Sequence, residues 1–405
     1  MSTMLSAEMT SQVIPGIYNN WEIHLKKVHV ILRDNASNMK AAMEDMAVPS
    51  LGCFAHTLQL VVHEGLMSQR SVSDALANSR KIVAHFKHSQ LAQSRLEDLQ
   101  REMQGARTTT TPARLVQDVQ TRWNSSFYMI KSLLTEKRPL CAYAADHNLP
   151  ATLSANEWGL LEKTVTVLEP FKELTRKISS ATSTAADVIP AVTVLKRLLA
   201  EENSTDSGIK TMKSTLLQAV SRRFSSIESE SLYAVATLLD ARYKDRFFSG
   251  GETARRMAKD LLKQELDKME QAQLKASAEG QGGTKEAEPA ENQVLLQAQV
   301  RVASAVYITE FWRNMMNLLK VPRQQLSKCK LKFLSAPSTS VESERLFSTA
   351  SNIVDEKRNR LTAERAEMLI FLKKNLPMFK GRITEPEEEK GRWRDAGRTE
   401  AGTAQ

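Results

Sequence analysis

Two carboxylates placed far apart in this chain could do chemistry together. Asp34 directly follows the apolar run 28–32 in "KVHVILRDNASNMKAA", and Glu344 lies in "APSTSVESERLFSTASNIVDEKRNRLTAERAEMLIFLKKNL". Acidic side chains that meet in space can hold two divalent metals, which activate a water or hydroxyl and steady the leaving oxygen in phosphodiester chemistry. Asp34 also has a plainer use, capping the helix expected to start near Ser37. Thr339 and Glu342 have capping-box spacing, so another helix starts near Ser340. Glu344 lies two residues past Glu342, about 200° round that helix, so the two glutamates face different ways. On spacing alone an exposed helix glutamate is the commoner case for Glu344.

Arg122 stands beside Trp123 in "VQTRWNSSF". Such a pair can stack an unpaired base and hold a phosphate; more often it is a core indole with a surface charge. Lys357, Arg358 and Arg360 form a short basic cluster suited to the same partner. Cys53 and His56 have C-x-x-H spacing, but no second pair follows at finger spacing, so a structural pair is the better reading than zinc. His85 and His88 lie three apart on a helix, and His63 follows His56 by seven. The three cysteines, Cys53, Cys141 and Cys329, make no C-x-x-C. A disulfide framework is not expected, and a reducing compartment fits. There is no glycine-rich phosphate loop, G-x-S-x-G or H-E-x-x-H. No cofactor and no protein-bound metal are therefore expected, with Mg²⁺ relevant only if a complete acidic site exists.

The elements that must position these residues follow from periodicity. Residues 28–32 read as a strand, and "VPSLGCFAHTLQLVVHEGL" as a short strand or turn feeding a helix with Leu58, Val61 and Val62 on one face. "KIVAHFKHSQLAQSRLEDLQREM" is helical, with Leu96, Leu99 and Met103 on a stripe. "QGARTTTTPAR" is a polar loop. Ser154 and Glu157 make a capping box before a helix striped by Trp158, Leu161, Val165 and Leu168. Pro170 is expected to kink or divide that helix. "AADVIPAVTVLKRLLAEE" and "TMKSTLLQAVSRRFSSI" read as two more helices. Residues 273–292 lose apolar content and read as a disordered linker, as does the tail from Gly381. Near the end Leu346, Phe347 and Ile353 read as core. Leu369, Ile370, Leu372 and Leu376 give the last helix an apolar face, fit either for a partner or for the chain's own core. Strand signals are confined to the first sixty residues, and helices dominate elsewhere.

With 405 residues, 41% hydrophobic and 25% charged, the chain can build a sizeable core. A net charge of +9 permits nucleic-acid contact without establishing it. No apolar run approaches the ~18 residues that span a bilayer, and the N-terminus lacks a signal-peptide core. A soluble intracellular protein is expected.

Seven blocks in order carry a resemblance: "RDNASNM", "CFAHTLQLVV", "HFKHSQLA", "TRWNSSF", "LEPFKELTRKISSATSTAADVIP", "LLDARYKDRFF" and the 337–376 segment quoted in part above. Over residues 10–378 the chain resembles hAT-superfamily transposases, and most closely their host-adopted relatives, the BED-type zinc finger proteins. The resemblance implies an α/β but mostly helical fold, in which a partial ribonuclease H-like core is interrupted by a large all-α insertion domain. It implies that Asp34 matches the second acidic residue of a D, D, E set and Glu344 the third. Arg122 and Trp123 match the insertion's R-W pair, Cys53 and His56 its C-x-x-H, and the last segment its dimerisation region, with Leu369, Ile370, Leu372 and Leu376. The first Asp of the set would precede Asp34, and residues 1–27 contain none. Arg33 stands where the family usually has a small polar residue.

The domains expected are 1–63, a partial core; 64–320, a helical insertion with the linker near 273–292; 321–380, C-terminal core helices and dimerisation region; and 381–405, a tail. The function expected is that of a domesticated, catalytically inactive hAT transposase-like protein. It would act in the nucleus through dimerisation, as a homo-oligomer or a heteromer with related hAT proteins, with weak DNA binding and no membrane. Two alternatives stay open: an active carboxylate two-metal DNA transposase or nuclease, and a fragment of a longer BED-type zinc finger protein.

Overall fold

A computed structural model describes residues 7–20, 22–24, 27–104, 111–180, 182–202, 206–279, 323–353, 362, 365–366 and 368–373. Lys357, Arg358, Arg360, Leu376, residues 280–292 of the expected linker and the 381–405 tail lie outside them. The chain divides into two units, Met1–Ser340 and Val341–Gln405.

The first unit begins with α1 (Ala7–Asn20), which packs on α2 (Ser37–Asp45). Helix α2 is the crossover between two parallel strands, β1 (Ile31–Arg33) and β2 (Ser50–Gly52), in register Ile31 to Ser50 and Arg33 to Gly52. The strand expected at 28–32 is thus shorter at its start and one residue longer at its end. Its start is set by the partner: the Ile31 N–H donates to the Pro49 carbonyl at 2.9 Å, and proline has no N–H with which to extend the ladder.

The described residues of the unit continue with helices: α3 (Phe54–Ser68), α4 (Arg70–His88), α5 (Gln90–Gln104), α6 (Trp123–Thr135), α7 (Lys137–Asp146), α8 (Ala155–Ile178), α9 (Val188–Ala200), α10 (Lys210–Arg223), α11 (Ser231–Leu239), α12 (Gly251–Glu279) and α13 (Arg323–Leu334). Their buried positions recur at three and four, as Leu58, Val61, Val62 and Leu66 do on α3. Helix α11, "SLYAVATLL", is buried on every side from Leu232 to Leu239 and packs on α9, α12 and α13. An all-round apolar helix of this kind marks the centre of the core.

The Ser154 capping box forms as expected: the Ser154 hydroxyl accepts from the Glu157 N–H, and Glu157 Oε2 accepts from the Ser154 N–H at 2.8 Å. That backbone hydrogen bond helps hold the Glu157 carboxyl below its usual range. Pro170 does not divide α8, which runs unbroken to Ile178. Burial of Leu161, Leu168 and Phe171 on its inner face outweighs the single hydrogen bond that proline removes. Ser89 separates α4 from α5, and on α5 Leu96 is buried while Met103 is exposed, so the expected stripe fades before the helix ends.

Helix α12 continues to Glu279, so residues 273–279 are helical rather than linker. Most residues of the run "QLKASAE" are good helix formers. Helix α13 packs on α11 and α12 within the first unit, which runs to Ser340, and residue 63 lies inside α3. Leu326, Cys329 and Phe333 are the buried face of α13, and burial pushes the Cys329 thiol up to about 12.

Helices α3 and α10 pack tightly at Gly65, where a Cβ would clash with the Leu216 side chain. Gly65→Ala is therefore expected to destabilise the protein by about 1–3 kcal/mol, the usual cost of overpacking. Urea denaturation checks it; a midpoint at or above wild type would show that Leu216 can move aside.

In the second unit α14 (Val341–Ile353) is followed by helical residues 368–373. Leu346, expected in a core, is exposed. No described helix is long and apolar enough to cross a membrane.

Candidate functional site

Helix α3 gathers the segments that carry the candidate residues. Its first turn follows β2, and the Cys53 N–H donates to the Arg33 carbonyl at 2.6 Å, tying the helix start to the end of β1. One turn on, Thr57 Oγ1 accepts from Asn35 Nδ2 at 2.9 Å and itself donates to the Cys53 carbonyl. This fixes the loop that follows Asp34. Gly52 permits that approach, since a Cβ there would run into the Asn35 carboxamide oxygen. Gln59 Oε1 accepts from the Trp123 N–H at 2.9 Å, so α3 also holds the start of α6. The buried Cys53 Sγ accepts from the Ser340 N–H at 3.4 Å, which brings in the last residue before α14.

Asp34 sits at the carboxyl end of β1 and is exposed. Its Oδ1 accepts from the Ala36 N–H at 3.0 Å. The carboxylate thus supports the turn into α2, the plainer of its two possible uses. Arg33 folds over the same end: Nε donates to Ser50 Oγ at 3.2 Å and a terminal nitrogen to the Asp34 carbonyl at 3.0 Å. Glu344 is exposed on α14, in the second unit.

Trp123 corrects an expectation. Its ring is 3% exposed, packed edge-on against Phe127 at 6.5 Å and Phe171 at 6.4 Å. The indole is core and offers no face to a base. Arg122, the N-cap residue of α6, is exposed, so the pair splits into a core ring and a surface charge. Cys53 is fully buried and His56 half-buried on α3. Among the described residues no three His, Cys, Asp or Glu side chains stand together as a metal site. Divalent cations take several oxygen ligands, so the described donors do not fit a metal pair.

In the second unit Met368, Leu369, Phe371 and Leu372 are exposed and Ile370 is half-buried. Met368 and Phe371 extend the apolar face beyond the residues expected from sequence; "EMLIFLKK" carries them in plain view. Asn35, Thr57 and Gln59 were also missed. Their roles depend on contacts across the fold, although the blocks "RDNASNM" and "CFAHTLQLVV" contain all three.

Residues 51–167 match the ZBED1 RNase-like helical domain, and residues 291–376 match the hAT family C-terminal dimerisation region. Zinc finger BED domain-containing protein 4 of Homo sapiens is 32% identical over 377 residues, 87% of this chain and 31% of that protein. Zinc finger BED domain-containing protein 6 is 25% identical in Homo sapiens and in Mus musculus, over 85% of this chain and 40% of the relative. The chain thus spans between 31% and 40% of the length of these relatives. Helical body and exposed C-terminal apolar run agree with both matched regions, and the chain is homologous to the zinc finger BED domain-containing proteins.

Proposed function

We infer that this chain is a domesticated hAT transposase-derived protein that works through self-association of its C-terminal region, in DNA-associated regulation in the nucleus. The observation that carries this reading is the exposed run Met368, Leu369, Phe371 and Leu372 inside the matched dimerisation region. A contiguous apolar patch of this kind marks an interface. The β1–α2–β2 unit is read as part of a ribonuclease H-like core. Catalytic inactivity is supported by Arg33, whose guanidinium occupies the strand end beside Asp34, where a divalent cation would meet like charge. Weak DNA contact is supported by the net charge of +9 and by the exposed Arg122; such binding falls steeply with salt.

Replacing both Ile370 and Leu372 with Asp tests the association. The variant is expected to keep its helical circular dichroism while its mass by light scattering falls to that of one 45.4 kDa chain. Unfolding of the variant would make this helix core, and a wild type already monomeric at micromolar concentration would end the reading.

A further inference from the structure

Two blocks far apart in the sequence meet at one buried carboxylate, and a third reaches it through a serine. Asp187, 4% exposed, closes the short 3-10 turn Ala185–Asp187 ahead of α9. Its Oδ2 accepts from the Thr184 N–H at 2.9 Å and the Ser183 hydroxyl at 3.2 Å. Its Oδ1 accepts from the Tyr243 hydroxyl and from the Arg242 guanidinium at 3.2 Å. That guanidinium also forks onto Asp240, at 3.0 and 2.7 Å, and lies over the Tyr243 ring.

The node reaches the chain just ahead of the second unit. Ser183 Oγ meets Ser338 Oγ at 2.9 Å, and Ser338 Oγ lies 3.1 Å from the Ile178 carbonyl. The Thr339 hydroxyl approaches that carbonyl at 3.4 Å. The Ala185 N–H donates to the Ala336 carbonyl at 2.8 Å, and Thr184 bridges Pro337.

Each serine has one hydroxyl proton, so not all of these contacts are made at once. A charged acceptor makes the stronger bond, so Ser183 gives its proton to Asp187. Ser338 then donates either to Ser183 or to Ile178, and Thr339 serves Ile178 when Ser338 turns to Ser183. The chain of donors therefore runs from Ser338 through Ser183 to Asp187, with Tyr243 on the far side.

The contrast with the neighbouring helix is informative. Helix α13 is held by buried Leu326, Cys329 and Phe333, whereas 336–340 brings only Ala336, Ser338 and Thr339 into the interior. Its named attachments are hydrogen bonds. Water replaces such bonds with little net loss, while it cannot replace apolar packing.

We propose that Asp187 and Tyr243 are the post of a releasable latch, which holds 336–340 on the helical body through Ser183 and Ser338. The segment opens locally while α13 stays docked, and the latch thereby controls the base from which the second unit departs. This holds whatever function the second unit serves.

Hydrogen exchange on the full chain, followed by mass spectrometry, tests it with Tyr243→Phe, Ser338→Ala and the double variant. Each single change is expected to speed exchange of peptides covering 336–340 by about three- to tenfold, the worth of one net hydrogen bond. Peptides from α3 to α6 and from α13 should be unchanged. Alkylation of Cys53 should accelerate in parallel, since its sulfur accepts from the Ser340 N–H. The double variant should show less than the product of the single effects, because Tyr243 acts by holding the carboxylate that anchors the Ser183–Ser338 link, and Ser338→Ala has already removed that link. If Ser338→Ala lowers global stability, Ser183→Ala reads the same link. Unchanged exchange at 336–340, fully multiplicative effects, or acceleration shared by the whole unit would each overturn the latch.

Discussion

Trp123→Ala should cost about 3–5 kcal/mol of stability, the usual price of emptying a buried aromatic site. The ring is 3% exposed and edge-on to Phe127 and Phe171, so its removal opens a cavity between α6 and α8. The loss is read as a lower urea midpoint at unchanged slope. Arg122→Ala, one residue away and exposed, should shift stability by no more than about 0.5 kcal/mol. Under the proposed DNA contact it should instead weaken salt-sensitive binding in a gel shift. If Trp123→Ala leaves the midpoint unchanged, the indole is not core, and the base-stacking role returns.

Asp187→Ala is expected to cost a similar amount, about 3–5 kcal/mol, for a different reason. It leaves the Tyr243 and Ser183 hydroxyls and the Thr184 N–H without their acceptor. Buried donors left unpaired cost about 1–3 kcal/mol each. Arg242 keeps Asp240, which limits the damage. Tyr243→Phe removes one donor and leaves the carboxylate three, so its cost should be clearly smaller. Thermal melts of the two variants check the order. A loss below about 1 kcal/mol for Asp187→Ala would mean that water fills the site at little cost.

The legible part of the fold was local. The spacing of Leu58, Val61 and Val62 named the inner face of α3, and Ser154 with Glu157 named the start of α8. Thr184 and Asp187 have the same capping spacing with Asp for Glu, and that turn was not read. The helical content and the match to a hAT C-terminal dimerisation region followed from the ordered blocks. What stayed hidden depends on distant partners. Trp123 is buried because Phe171 on α8 covers it. The first strand is short because Pro49 faces Ile31. Pro170 sits inside a helix because Leu168 and Phe171 anchor the turns around it. Of the candidate site, Asp34 stands at the end of β1 as its neighbours suggested. The grip of α3 on Asn35, Trp123 and Ser340 could not be read from residues so far apart.

The link between Ser183 and Ser338 spans 155 positions of chain. A ribosome adds about 5–20 residues each second, so Ser183 leaves the exit tunnel roughly 8–31 s before its partner. Through that interval α9 to α12 emerge in turn, and α13 follows only at its end. The surface of α11 that α13 will cover stays open to water, and the Ile178 carbonyl waits for its serine. The first unit can finish folding only after translation has passed Ser340, and an emerging chain with an open core flank is what chaperones bind.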